Sequence, residues 1–503
     1  MEAAIDMRTA EREGGRVYII GAGFAGRAIA RELREKAVFG TVVAFLDDDP
    51  AKIGGRIEGI PVLGPIKDVV NLLRRTPADE AIIAIPSATK EFLRDLYYLL
   101  KRAGFARIRI VPGIAQIVEG DAHLIQAREI ESQDLLGRSP VAIGLKESLS
   151  YLRGKRVLVT GAGGSIGSEL SRQLLSAGAA RLYLFGHGEN SIYEIDRELR
   201  LLREEGVGER TWIVPLIGDL KDADYVRFIL GRLKADAIFH AAAYKHVPMA
   251  EDNPIAAVHN NVLGTRNLVE ASLAAGTRRF VLVSTDKAVD PVSVYGATKL
   301  LCERIVVDAA SRAAPGREFM VVRFGNVLGS RGSIVPLFKR QIEKGGPVTV
   351  THPDASRYFM TVPEACSLVL KTGGVGKGGQ TYLLDMGEPV KIRELAEQMI
   401  RFYGFVPGKD IRVEYIGLRH GERLEERLYS PDEVLVPTEY PRVNRLERRS
   451  EGPIPVSEAI DALEPCCVSV PGREKDYRNR ASLRAALKKS VPTFIVPDNE
   501  PSY

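Results

Sequence analysis

At 503 residues the chain exceeds what one hydrophobic core usually serves, so two or three domains of ordinary size are expected. Its 70 basic and 65 acidic residues leave a net charge of +5 spread along the whole sequence, which excludes the clustered basic footprint of a nucleic-acid binder. Four cysteines lack metal-ligand spacing and disulfide density, the N-terminus has no signal-peptide core, and no run approaches about 18 apolar residues, so a soluble, cytoplasmic chain without a metal or membrane segment is expected.

Residues 1–15 are polar. From Arg16 the chain reads RVYIIGAGFAGRAIARELRE, a short apolar strand, a glycine turn and a helical pattern, and TVVAFLDDDP supplies the next strand. Strand-like AIIAIPS, an amphipathic stretch and strand-like RIRIVPG complete a small α/β nucleotide-binding domain over 16–113. Gly21, Gly23 and Gly26 make a G-x-G-x-x-G after a strand, and Asp47 stands at the end of the following strand, the spacing of an NAD ribose contact. No tyrosine–lysine pair accompanies this turn, so it is either a second nucleotide site or a fold that only packs and oligomerises. Residues 114–150 read as a linker.

The same grammar restarts at Lys155 with KRVLVTGAGGSIGSELSRQLLSAG, followed by strands RLYLFG, WIVPLIGDL, AIFHAAA and RFVLVSTD. Strands alternating with helices imply a doubly wound parallel sheet over 151–435, whose later segments form a substrate lobe. The extension 436–503, rich in Pro, Arg and Glu, carries the weakest pattern and reads as partly mobile. The expected fold class is α/β: two tandem Rossmann-like doubly wound parallel-sheet domains, the second with a smaller C-terminal substrate-binding lobe.

Gly161, Gly164 and Gly167, with Ser165 and Ile166 between them, open a helix directly after a strand, where backbone approaches a pyrophosphate at the positive helix end. The next strand ends at Gly186 instead of the acid that holds an NAD ribose. With no carboxylate to repel a 2′-phosphate, and with His187 and Arg197 nearby, NADP is favoured and NAD stays open. Asp219, beside Leu220, either caps the third strand near the adenine or is an ordinary turn aspartate; Ala241 in HAAA joins the cofactor contacts. Tyr295 and Lys299 in YGATK are four apart, on one helix face. A lysine ammonium beside a phenol stabilises the phenolate, which takes a proton from a sugar hydroxyl while hydride leaves the same carbon for nicotinamide.

The order TGAGGSIG, GD, HAAA, NxxGT at Asn261 to Thr265, VST and YGATK resembles the extended short-chain dehydrogenase/reductase superfamily. Within it, Ser284, Thr285, Asp286 and Lys287 place an acid and an amine beside the reacting sugar. Elimination needs both: after C4 oxidation a base removes the acidified C5 proton while an acid protonates the leaving 6-hydroxyl, tasks that fit Lys287 and Asp286.

Together with AAAYKHVPMAEDNP, RFGNVLGSRGSIVPLFKRQI, THPDASRYFMT and GLRHGERL, the cluster resembles the polysaccharide-biosynthesis dehydratases that convert UDP-N-acetylglucosamine to 4-keto-6-deoxy sugars, over roughly residues 16–440. The resemblance implies Thr285 as an oxyanion-type contact, Asp286 as acid, Lys287 as C5 base and Tyr295 with Lys299 as the oxidation pair. It also implies a homo-oligomer; because hydride taken from C4 can return to C6, the cofactor is expected to stay tightly bound and to be recycled. Lys245, His246, Asn326, Arg331, Lys339, Arg357 and Arg419, with Glu422, fit the need of a uridine diphosphate for cations and donors, though each singly is equally an ordinary surface group. Large family members carry membrane helices before the N-terminal domain, and many have methionine at the position of Tyr295. This chain combines the tyrosine of the short members with the layout of the long ones, which leaves retention or inversion at C5 open. The rival readings are a UDP-hexose 4-epimerase or C4 reductase, which gives Asp286 and Lys287 no task, and a non-catalytic dinucleotide-binding sensor.

Overall fold

A computed structural model describes residues 15–36, 40–85, 88–110, 128–129, 149–208, 210–448 and 453–497, in two compact units, Met1–Ile143 and Gly144–Tyr503. The polar N-terminal segment and most of the stretch read as a linker lie outside the described residues.

In the first unit, strands β1 (Arg16–Ile20), β2 (Thr41–Leu46), β3 (Arg56–Ile57), β4 (Ile60–Gly64), β5 (Glu80–Ile83), β6 (Arg107–Ile110) and β7 (Arg128–Glu129) lie in the order β3-β4-β2-β1-β5-β6-β7. β1 pairs in parallel with β2 and β5, and its Val17 to Ile20 are all buried, as a central parallel strand covered on both faces requires. Ala25, Ile29 and Leu33, one helical turn apart, bring the helix Phe24–Lys36 onto Val17 and Ile19. β7 falls inside the stretch read as a linker and pairs antiparallel with β6. Two residues are too few to show the alternation by which a strand is recognised.

The second unit contains β8 (Arg156–Thr160), β9 (Arg181–Gly186), β10 (Trp212–Ile217), β11 (Ala237–His240), β12 (Arg279–Thr285), β13 (Glu318–Phe324), β14 (Asn326–Leu328), β15 (Val348–Val350), β16 (Ser356–Arg357), β17 (Phe359–Thr361), β18 (Thr381–Leu384), β19 (Val390–Lys391), β20 (Val413–Tyr415), β21 (Glu433–Pro437) and β22 (Val443–Arg448). A nine-stranded sheet runs β10-β9-β8-β11-β12-β13-β18-β22-β21, with β22 antiparallel to β18 and β21 antiparallel to β22. The strand order reverses between β8 and β11, so the ligand crevice of this doubly wound sheet opens at their C-terminal ends. The pairs β14-β17, β15-β20 and β16-β19 build the smaller lobe.

The C-terminal stretch is more ordered than its sequence pattern suggests. β22 and the last two residues of β21 come from it, and helices Val456–Cys467 and Arg480–Ser490 send Leu463, Leu483 and Leu487 into the same apolar core as Val294 and Leu301. Just before this stretch, at the start of β21, the inward position is charged: Glu433 is buried against Arg323 of β13, at 2.9 Å. Among the described residues no helix is long and apolar enough to cross a membrane.

Candidate active site

β8 runs into Gly161, whose φ is +66°, and a Cβ there would stand 2.8 Å from the Ala242 backbone. A Cβ at Gly167 would fall 2.1 Å from the Gly161 carbonyl oxygen, so only glycine lets the helix Ser165–Ser176 begin this close to the strand. Gly164 precedes that helix without a side-chain cap, leaving its first amides for an anion. The cradle fits a dinucleotide pyrophosphate. At the ends of the same strands His240 is buried between Thr160 Oγ1, 2.7 Å from Nδ1, and Thr265 Oγ1, 2.9 Å from Nε2. Burial, with the charge of Lys299, pushes its pKa down to about 3, so the imidazole is neutral.

β9 ends at Gly186, and His187 is exposed with its ring edge-on to Tyr244 at 6.4 Å. Arg197 is also exposed, but it lies two turns into the helix Glu189–Glu204, roughly 12 Å along its axis. Asp219 turns its carboxylate onto the Lys221 amide (3.0 Å) and ammonium (3.1 Å). Burial opposes its ionisation, yet these contacts outweigh that and hold the carboxyl below its usual pKa. Such contacts describe a turn aspartate. Leu220 beside it is buried, and its carbonyl accepts from Asn267 Nδ2 at 2.9 Å.

β12 ends in Thr285, which starts the tight turn Asp286–Ala288 and accepts from the Lys287 amide. Ser293 then caps the helix Val294–Arg312 through the Gly296 amide, and Glu251 accepts from the Val294 amide at 2.7 Å. Gly296 must be glycine, because a Cβ there would lie 2.3 Å from the Lys287 carbonyl oxygen. This close packing sets Tyr295 against the 285–287 turn. Thr285 Oγ1 donates to Asp286 Oδ1 at 2.9 Å, and Lys287 Nζ donates to the same oxygen and to Asn326 Oδ1, both at 3.0 Å. Glu426 brings a second carboxylate 3.6 Å from that ammonium. Burial opposes the Lys287 charge, but the two carboxylates prevail and raise its pKa. Asp286 Oδ2 is buried without a hydrogen-bond partner.

Burial pushes the Tyr295 phenol up to about 12, with Lys287 pulling the other way. Lys299 is on the expected helix but donates to the Val283 carbonyl at 2.8 Å. Burial lowers its pKa. Lys287 thus acts on the phenol, while one N–H of Lys299 is engaged by the β12 carbonyl.

The expected substrate residues separate into groups. Asn261, in a π-helical turn, grips the Tyr244 backbone at N (2.8 Å) and O (3.0 Å), fixing the segment that carries Lys245 and His246. Lys245 Nζ donates to Ser330 Oγ at 3.4 Å and stands close enough to Lys287 for the two charges to repel. With Asn326 on Lys287, and Arg357 Nε 3.8 Å from Glu426, these residues meet at the 285–287 turn. Arg357 otherwise binds the carbonyls of Arg423 and Leu424. Arg331 lies elsewhere, on the glycine turn, donating to Gly163 O (3.0 Å) and, through its amide, to Ser165 Oγ (2.9 Å). Arg419 pairs with Glu422 at 2.6 Å. Lys339 faces solvent, 4.0 Å from Glu343 one helical turn on.

Glu426 and His240 were not singled out by the sequence reading, nor was the buried network in which Arg323 holds Glu303 (2.7 Å) and Glu433 (2.9 Å) while Ser284 donates to Glu303 (2.6 Å). That network ties the tyrosine helix to β12, β13 and β21. In the first unit Asp47 accepts from the Ala22 amide at 2.7 Å and from Lys52 at 3.1 Å, so its carboxylate closes its own glycine turn. Among the described residues no group of three or more His, Cys, Asp or Glu is placed to hold a metal.

Residues 157–448 match the family described as polysaccharide biosynthesis protein, and residues 3–112 match a CoA-binding domain. The chain is 43% identical over 430 residues to the probable polysaccharide biosynthesis protein EpsC of Bacillus subtilis, covering 85% of this chain and 71% of that one. It is 32% identical over 283 residues to a UDP-N-acetylglucosamine 4,6-dehydratase (inverting) of Campylobacter jejuni, covering 56% and 79%. It is 30% identical over 289 residues to a UDP-glucose 4-epimerase of Rickettsia typhi, again covering 56% and 79%. Among solved structures, Pen from Bacillus thuringiensis is similar with a TM-score of 0.54 and 34% identity, covering 60% of this chain and 90% of that one.

Proposed function

The chain belongs to the polysaccharide biosynthesis protein family, and from that premise we propose that it is an NADP-dependent 4,6-dehydratase of UDP-N-acetylglucosamine. The observation that carries this reading is the turn Thr285–Asp286–Lys287, with Thr285 and Asp286 buried and Lys287 half-buried, against Tyr295. An epimerisation at C4 leaves that acid and that amine without a task, whereas an elimination across C5 and C6 uses both.

A nicotinamide dinucleotide held in the Gly161 cradle would supply a hydride acceptor and donor that is not consumed overall. Gly161, Gly164 and Gly167 would hold its pyrophosphate, with Arg331 over the turn. Gly186 leaves room for a ribose 2′-phosphate beside His187, which favours NADP. Tyr295 takes the proton of the C4 hydroxyl. Lys287 takes the C5 proton once its own ammonium proton has passed to Glu426, and Asp286 protonates the departing C6 hydroxyl. Lys245, His246, Asn326 and Arg357 surround the sugar diphosphate.

Incubation of the purified protein with UDP-N-acetylglucosamine, followed by proton NMR and by chromatography of the released cofactor, tests the reading. A 4-keto-6-deoxy sugar and NADP are expected. UDP-N-acetylgalactosamine as product would instead establish the epimerase reading.

A further inference from the structure

Tyr295 is the second residue of the helix Val294–Arg312, so the place of its phenol depends on how the first turn of that helix is held. The first amide, of Val294, donates to Glu251 Oε1 at 2.7 Å, and a carboxylate is favoured at this positive end of the helix dipole. Glu251 is itself gripped by the C-terminal extension. Arg484 Nη1 donates to its second carboxylate oxygen and Nη2 to its backbone carbonyl, both at 2.9 Å. Arg480, one turn earlier on the helix Arg480–Ser490, reaches the same carbonyl at 3.3 Å. Arg484 is 2% exposed and Glu251 8%, so solvent screens this pair little.

The same segment holds the neighbouring loop. Thr493 Oγ1 donates to the Pro291 carbonyl at 3.1 Å, between the 285–287 turn and Tyr295, and the buried Phe494 belongs to the apolar core that contains Val294 and Tyr295. His420 Nε2 stands 3.7 Å from Glu251 Oε2, and a Cβ at Gly421 would lie 3.2 Å from Oε1, so the loop that carries Glu426 leans on the same carboxylate. Residues 480–494 lie beyond residue 448, where the match to the polysaccharide biosynthesis family ends.

We infer that Arg484 is a positioning residue of the reaction: acting through Glu251, it fixes the start of the tyrosine helix, so that the C-terminal extension sets where the Tyr295 phenol stands against the 285–287 turn. The inference rests on Tyr295 as the base of the C4 oxidation in the proposed reaction, and it brings into that site a part of the chain outside the family match. Reacting groups tolerate little displacement; a shift of about 1 Å costs roughly 100-fold in rate. Sugar-nucleotide binding depends on this grip far less, because Asn261 separately fixes the Tyr244 backbone and with it the segment that carries Lys245 and His246.

The experiment measures steady-state turnover of UDP-N-acetylglucosamine by full-length holoenzymes, with product read by proton NMR and thermal unfolding recorded alongside. Arg484→Lys keeps the cation. Arg484→Met removes it and strands the buried Glu251 carboxylate, which can itself prevent folding. The double variant Glu251→Gln/Arg484→Met strands no charge and separates stability from positioning. Thr493→Val removes one hydroxyl near the surface.

Positioning predicts that Arg484→Met and the double variant lose about 30- to 100-fold in kcat with KM within about threefold of wild type, although the double variant melts near the wild-type temperature. Arg484→Lys should recover kcat to within about fivefold, and Thr493→Val should lose about threefold. Lys489→Ala, which breaks the solvent-facing pair with Glu458 on the same helix, should stay within about twofold. A double variant with wild-type kcat, or a loss carried by KM instead of kcat, overturns the inference. Wild type that yields UDP-N-acetylgalactosamine overturns the dehydratase reading alone, since an epimerase also uses Tyr295 and the same kcat pattern is then read on that product. Wild type that yields neither product overturns both.

Discussion

The two glycine turns of this chain obey one backbone rule and differ in what stands around them. A Cβ at Gly26 would fall 2.0 Å from the Gly21 carbonyl oxygen, and one at Gly167 would fall 2.1 Å from that of Gly161. Gly21 and Gly161 both take positive φ, +100° and +66°. In the first unit, however, Asp47 is bound to the Ala22 amide and Lys52, while in the second the strand after the turn ends without an acid and β11 and β12 deliver His240, Thr285, Asp286 and Lys287 to the same sheet edge. A glycine fingerprint specifies a backbone shape; chemistry comes from what neighbouring strands bring to it.

Changes that separate these layers should differ in size. The largest effect is expected for Asp286→Asn, which removes the acid of elimination: 4-keto-6-deoxy product measured by NMR should fall at least about 1,000-fold while bound cofactor is retained. Next come the matched substitutions Gly167→Ala and Gly26→Ala, each of which should cost about 1–3 kcal/mol by calorimetry because backbone must move. Only the first should also lower the cofactor content of the purified protein, and loss of cofactor from Gly26→Ala would break the contrast between the turns.

A pH effect of similar size follows from His240. Its folded pKa, about 3, lies below the unfolded value near 6.5, so the unfolded chain binds the proton first. Stability is full above the unfolded value and falls as pH drops toward the folded one, by about 2 kcal/mol between pH 7 and pH 5. Urea unfolding at the two pH values measures this, and His240→Gln should flatten the difference. The smallest effect belongs to Lys339→Ala, which removes one solvent-facing pair and should shift stability by less than about 0.5 kcal/mol. A large loss of UDP-sugar affinity in that variant would return Lys339 to the site.

The legible parts of this protein are those written in contiguous runs. Strand, glycine turn and helix at Arg16 and at Arg156 follow from local periodicity, and the 285–287 turn with Tyr295 is short-range, so both stand out in the sequence. Glu426 reaches Lys287 from a distant loop, and no local pattern distinguishes it from its neighbour Glu425. Glu303, Arg323 and Glu433 read as surface or turn charges until folding buries them together, which also masks β21 and β22. Helix spacing put Lys299 on the face of Tyr295 but could not show that a β12 carbonyl holds its ammonium. Arg331 looked like a phosphate ligand of the substrate because its charge was visible and its neighbours at Gly163 and Ser165 were not.

Deuterium at C5 tests the central claim most directly. Wild type and Lys287→Met are incubated with UDP-N-acetylglucosamine in deuterated water and the sugar is read by proton NMR. The account predicts a 4-keto-6-deoxy product carrying deuterium at C5 from wild type and no C5 exchange from Lys287→Met. Epimerised sugar without C5 deuterium from wild type, or undiminished C5 exchange in Lys287→Met, would contradict it.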